Sequence, residues 1–85
     1  MQFMVVIDMV GEFDEDFMAL VAEDTAYSDR LRAEGIQGEI IMRDDLRRCW
    51  SVFTTDSREE LDKILEGFPL YHKLRYEVHP LWQEG

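Results

Sequence analysis

Ile36-Gln37-Gly38-Glu39-Ile40-Ile41-Met42-Arg43, then Asp44-Asp45-Leu46-Arg47, then Arg48-Cys49-Trp50-Ser51-Val52-Phe53-Thr54 is the stretch that decides the fold. Two runs rich in β-branched and apolar residues, Ile36–Arg43 and Arg48–Thr54, flank a short polar turn at Asp44-Asp45. This pattern predicts an antiparallel hairpin. Gly38 interrupts the character of the first run.

Working outward, each side supplies one helix and one strand. On the N-terminal side, Phe3–Val10 reads as a strand, apolar on both faces apart from Asp8, and so covered on both sides. Gly11–Phe13 make a turn. Asp14 is placed to cap a helix over Glu15–Glu34. Glu15 and Asp16 suit its positive end, and Arg30 and Arg32 its negative end. Gly35 supplies the left-handed stop. On the C-terminal side, Ser57-Arg58-Glu59-Glu60 is a capping box. It opens a short helix with Leu61, Ile64 and Leu65 on one face, closed by Gly67 and Pro69. Leu74–Pro80 reads as a fourth strand and Leu81–Gly85 as a tail. The order βαββαβ specifies an α+β, ferredoxin-like fold: a four-stranded antiparallel sheet with two helices on one face. Residues 1–85 form one domain.

Composition narrows the function. Nineteen acidic residues against nine Lys and Arg give a net charge of −10. That balance argues against nucleic acid, whose phosphates need a basic footprint, and against an anionic membrane surface. Solubility is the simplest reading of the charge. One cysteine, Cys49, permits neither an internal disulfide nor a cysteine-rich zinc site. His72 and His79 lack metal-ligand spacing, and capping explains the cluster Glu12, Asp14, Glu15 and Asp16 better than a metal does. The first residues lack a basic leader and read as strand, so the expectation is a cytoplasmic protein. With one layer of helices, one sheet face is left uncovered, and self-association is expected.

The chemical anomaly is Asp24. At about 100° per residue, Phe17, Leu20, Val21, Asp24, Tyr27, Ser28 and Leu31 form one helical stripe, with Asp24 near its centre. A carboxylate on a buried face needs a partner, a proton or a task. Burial would raise its pKa and a nearby Arg47 would lower it. The structural alternative is an aspartate paired to Arg47 or Arg43.

Strand alternation divides the third strand into Arg47, Cys49, Ser51 and Phe53 on one face and Arg48, Trp50, Val52 and Thr54 on the other. In the fourth strand Tyr76 and Val78 oppose Arg75, Glu77 and His79. Two assignments stay open. A monomer would put Trp50, Val52, Tyr76 and Val78 beneath the helices. A dimer would bury those four between sheets and leave Cys49 and Ser51 beneath the first helix, towards Asp24. Trp50 and Tyr76 suit an apolar interface better than a ligand cage.

Several short motifs, in order and at similar spacing, resemble the muconolactone isomerase family. Leu31-Arg32-Ala33-Glu34-Gly35 is similar to the end of that family's first helix. Trp50-Ser51-Val52-Phe53 resembles its third strand. Glu60-Leu61-Asp62 and Phe68-Pro69-Leu70 resemble its second helix and the turn behind it, and Tyr76-Glu77-Val78 its last strand. The resemblance implies a dimeric α+β barrel, often built into larger rings. It implies double-bond isomerisation of an unsaturated lactone with no metal or organic cofactor. A base removes a proton near the carbonyl and returns it at another carbon.

The family's proton-carrying glutamate falls on Asp24, one methylene shorter. Its substrate-holding tyrosine falls on Arg47, and its asparagine on Cys49. The resemblance thus implies Asp24 as proton carrier, with Arg47 and Cys49 at the substrate; the helical stripe adds Tyr27 at its edge, and strand alternation adds Ser51 beside Cys49, as further candidates for the pocket lining. Arg47 offers a bidentate fork for an oxygen anion. Cys49 without a nearby base reads as a small core residue, and Ser51 as packing. Two alternatives remain. One is cofactor-free oxidation or cyclisation of a polyketide-like phenol. The other is a non-catalytic binding or assembly module, in which Asp24 is salt-bridged and no cavity adjoins it.

Overall fold

The computed structural model describes residues 1–82; of the expected tail, 83–85 lie outside the described residues. The elements are β1 (Gln2–Met9), α1 (Glu15–Ala33), β2 (Gln37–Met42), β3 (Arg48–Thr54), α2 (Arg58–Glu66), a 3₁₀ turn (Tyr71–Lys73) and β4 (Leu74–Pro80). They form one antiparallel sheet in the order β2-β3-β1-β4. The βαββαβ expectation is met, with element ends shifted by a residue at most. No helix among the described residues is long and apolar enough to cross a membrane.

Local chemistry sets the boundaries. Asp14 Oδ1 accepts the Phe17 N–H at 2.9 Å and opens α1. Gly35, at φ +78°, closes it: the Ile36 N–H returns to the Leu31 carbonyl at 2.9 Å. Ser57 Oγ accepts the Glu60 N–H at 3.1 Å, and Glu60 Oε2 accepts the Asp56 N–H at 2.9 Å, so both halves of a capping box are made. In the hairpin loop, Asp45 Oδ1 accepts from both Arg43 Nε and the Arg47 N–H at 2.9 Å.

Strand register settles which residues face the helices, and it corrects the grouping drawn from alternation. Ile7 of β1 pairs with Cys49 on one side and Tyr76 on the other; Val5 pairs with Ser51 and Val78. Directly opposed residues share a face. Cys49, Ser51, Phe53, Tyr76 and Val78 therefore lie together beneath the helices, while Trp50 and Val52 lie on the open face. Neither assignment considered from the sequence has this combination. Phe3, Val5, Ile7, Leu31, Cys49, Phe53, Leu61, Leu65 and Phe68 form the buried core.

A bulge in β2 supplies the remaining wall. Gln37 pairs with Phe53 but Ile40 pairs with Ser51, so three residues of β2 span two of β3. The shift puts Gln37, Ile40 and Met42 on one face despite their mixed parity. Gly38 makes the close approach: a Cβ there would lie 3.3 Å from the Val52 carbonyl oxygen. Ser51 Oγ lies 3.0 Å from the Glu39 carbonyl oxygen and 3.2 Å from that of Gly38, and donates there to the bulged backbone.

Candidate functional site

Only Phe17, Ser28 and Leu31 of α1 are buried, because a cavity of about 350 Å³ separates much of the helix from the sheet. A space of that size suits a small-molecule ligand. Its walls come from α1, β1, the bulged β2, β3, β4 and the Phe68–Leu70 turn. At its mouth Phe13, Met18, Met42 and Leu46 are all exposed, an apolar rim where the start of α1 meets the β2–β3 hairpin.

Asp24 lies on the cavity wall. Its Oδ1 accepts the Leu70 N–H at 3.1 Å. It forms no ion pair among the described residues. Arg43 is bound to Asp45, and Arg47 donates to the carbonyl oxygens of Gly11 and Met9. Neither arginine considered from the sequence is its partner. Burial holds the Asp24 carboxyl above the ordinary carboxylate range, an effect the Leu70 hydrogen bond only partly offsets.

Cys49 also lines the cavity and is buried. Burial, reinforced by the negative charges of Asp24 and Asp8, pushes its thiol up to about 11. At neutral pH it is a thiol and a poor nucleophile.

The other three side chains singled out from the sequence stand outside the cavity wall. The Arg47 guanidinium lies 4.4 Å over the Phe13 ring and ties the β1–α1 loop to the hairpin. The Tyr27 hydroxyl donates to the Ile64 carbonyl at 2.7 Å, and its ring meets Phe68 edge-on at 4.6 Å. Tyr27 thus joins α1 to α2. Ser51 closes the β2 bulge, as described above.

Two features escaped the sequence reading. Ser28 Oγ donates to Gln37 Oε1 at 2.7 Å, a buried pair that fastens α1 to β2 in the cavity wall. Ser28 was on the predicted stripe, but the bulge that turns Gln37 towards it has no signal beyond Gly38. Tyr76 is the second: read from the sequence as suiting an apolar interface, it lies instead on the helix side of the sheet, where the register pairs it with Ile7. It lines the cavity, and its hydroxyl is buried without a hydrogen-bond partner among the described residues. Burial and the nearby Asp24 charge hold its phenol far above the usual range, so it stays protonated. The site therefore combines an apolar enclosure, one carboxyl able to exchange a proton and one neutral thiol. Among the described residues no three His, Cys, Asp or Glu side chains gather as a metal site would require.

Known proteins share this fold. A crystal structure of muconolactone isomerase superposes with a TM-score of 0.86 at 25% identity, over 99% of this chain and 91% of that one. A 5-chloro-2-hydroxyhydroquinone dehydrochlorinase from Burkholderia phenoliruptrix, in complex with 2,5-dihydroxybenzoquinone, superposes with a TM-score of 0.71 at 18% identity. That match covers 100% of this chain and 96% of the other, and at this identity shows the fold alone. No curated protein sequence matches significantly. The muconolactone delta-isomerase family model matches residues 1–84, and the chain belongs to that family.

Proposed function

We propose that the protein is an enzyme that shifts a proton, and with it a double bond, within a small unsaturated carbonyl compound, without a metal or organic cofactor. The observation that carries this reading is Asp24: a carboxyl of raised pKa, without an ion-pair partner among the described residues, on the wall of an apolar cavity.

The ionised carboxylate takes a proton from a carbon conjugated with the carbonyl. The electron pair of that C–H bond moves onto the carbonyl oxygen through the conjugated system and gives an enolate. Asp24 returns the proton at a different carbon, the enolate collapses to the carbonyl, and the double bond has moved with no net change in composition. A raised pKa suits both halves of the cycle, because the base must also act as an acid. An apolar wall keeps bulk water from taking the proton between the two steps.

A non-catalytic module would pair Asp24 with a cation and leave no cavity beside it. The cavity and the unpaired carboxyl favour catalysis over that alternative. Self-association through the open sheet face, where the pair Val6 and Trp50 lies between Val52 and the Asp8–Arg48 ion pair, belongs to the same proposal.

The test is turnover of muconolactone and of β,γ-unsaturated cyclic ketones followed by ¹H NMR in D₂O. The wild type shifts the double bond, and Asp24→Asn loses about 10²–10⁴-fold in rate, the usual worth of a general base. Unchanged turnover in a folded Asp24→Asn variant overturns the proposal. Product formation that depends on oxygen would replace isomerisation by oxidation.

A further inference from the structure

We infer that the side-chain amide of Gln37 anchors the ligand: its free N–H holds a carbonyl or carboxylate oxygen on the cavity wall, one helical turn from Asp24. Like the proposed function, this assignment takes the cavity as the place where ligand binds. It does not depend on Asp24 moving a proton.

A glutamine amide carries one acceptor oxygen and two N–H donors. Gln37 is only 4% exposed, and buried polar groups are normally paired. Its oxygen is paired, because Ser28 Oγ donates to Oε1 at 2.7 Å. Its nitrogen is not: Nε2 has no hydrogen bond among the described residues. Nor is it sealed in protein. Among the described residues the sealed polar side-chain atom without a partner is Tyr76 Oη, so Nε2 keeps its small accessible surface. The space beside Gln37 is the cavity, which it lines together with Ser28.

Two features of the fold aim this amide. The bulge at Gly38 turns Gln37 to the face of β2 that looks at α1. The Ser28 bond then occupies the oxygen and leaves the nitrogen for the cavity. Ser28 follows Asp24 by four residues on α1, and both line the cavity. Such residues stand about 5–6 Å apart on one helix face. The donor and the carboxylate therefore share one wall. Other polar groups there are committed elsewhere. The Arg32 guanidinium is bound to Asp29 in solvent, and the Tyr76 hydroxyl is sealed. An N–H donor in an apolar enclosure favours an oxygen acceptor, and more so as that oxygen gains enolate charge.

Three probes on one frame test the assignment: 1-indanone, indane-1-carboxylate and indane, each titrated into ¹⁵N-labelled protein. None needs to react, so failure of the isomerase reading and failure of this one are separate results. The Gln37 side-chain amide signals are assigned through their bonds to the Gln37 backbone, which requires no variant. One of the two amide protons should move downfield with 1-indanone or with the carboxylate, and not with indane. Whichever probe moves it identifies the oxygen held. Gln37→Met should weaken that probe about three- to tenfold, one hydrogen bond, and leave indane within about twofold. Ser28→Ala removes the tether and keeps the amide, so it should weaken the same probe less than Gln37→Met does. Amide protons unmoved by both oxygen-bearing probes overturn the proposal. So does a Gln37→Met variant that weakens indane as much as the others, which is lost packing alone. Absence of binding by every probe up to its solubility also overturns it.

Discussion

The Asp24 carboxylate on α1 accepts the backbone N–H of Leu70 at 3.1 Å, across 46 residues of sequence. That one hydrogen bond fixes the carboxylate at the cavity wall and anchors the Phe68-Pro69-Leu70 turn to the helix. One oxygen is used for position, and no cation shares the charge among the described residues. The balance between burial and this bond sets the carboxyl's behaviour with pH.

The sign of that behaviour is specific. The folded-state pKa of Asp24 is raised, because burial outweighs the Leu70 bond. Its contribution to stability is therefore fully present below the unfolded carboxylate value and is lost as pH rises through the folded value. At neutral pH the charge is a burden. Asp24→Asn keeps an acceptor for Leu70 and removes the charge. We expect it to raise Tm at pH 7 by about 2–5 °C, with the gain vanishing below the ordinary carboxylate range. Parallel melting curves across pH for the two proteins would contradict this. Catalysis runs the other way: kcat/KM of the wild type should rise with pH through the same folded value, because the ionised form is the base.

Cys49 gives a second pH-linked expectation. With its thiol pushed up to about 11 and buried, it should react with iodoacetamide at pH 8 far more slowly than a free cysteine. Denaturant should restore the ordinary rate. Cys49→Ala should retain turnover within a few-fold, because a neutral thiol in the wall contributes shape. A loss of about a hundredfold would instead make it a participant in the chemistry.

Tyr27 separates a structural from a substrate-binding role. Its hydroxyl is spent on the Ile64 carbonyl, so Tyr27→Phe should lower stability by about 1 kcal/mol with KM unchanged. Gly67 makes room for that hydroxyl: an added Cβ would overlap the Tyr27 Oη and Cζ. Gly67→Ala should therefore cost more stability than Tyr27→Phe. A rise in KM for Tyr27→Phe at unchanged stability would place the hydroxyl against substrate.

How far the sequence revealed this site depended on how local each signal was. Asp24 was legible because helical periodicity is set within a few residues of the chain, and one acidic residue on an apolar stripe stands out. The hairpin and both helix caps were legible for the same reason. Tyr76 was not. Its face is decided by β1, which pairs Ile7 with Cys49 on one edge and with Tyr76 on the other, and register across three strands is a tertiary property. Gln37 was hidden by the bulge at Gly38, which breaks the alternation that would otherwise assign its face. Arg47 was read as a clamp on substrate, but the β1–α1 loop carbonyls that hold it are brought there only by folding.

Arg47 supplies the last test. As a clamp on substrate oxygen it would act in the transition state, and its loss would lower kcat by about tenfold or more. The structure instead has it bracing the cavity mouth, over the Phe13 ring and bound to the Gly11 carbonyl. Phe13 in turn stacks on Phe17 at 4.7 Å, so the brace supports two aromatic residues of the cavity lining. Arg47→Met keeps most of the side chain's bulk and removes the donors. We expect it to raise KM several-fold and lower Tm by a few degrees while kcat stays within about twofold, the mark of lost uniform binding. Steady-state kinetics on the substrate found in the NMR screen measure both parameters together. A fall in kcat at unchanged KM would show that the guanidinium leaves the loop and reaches the reacting oxygen.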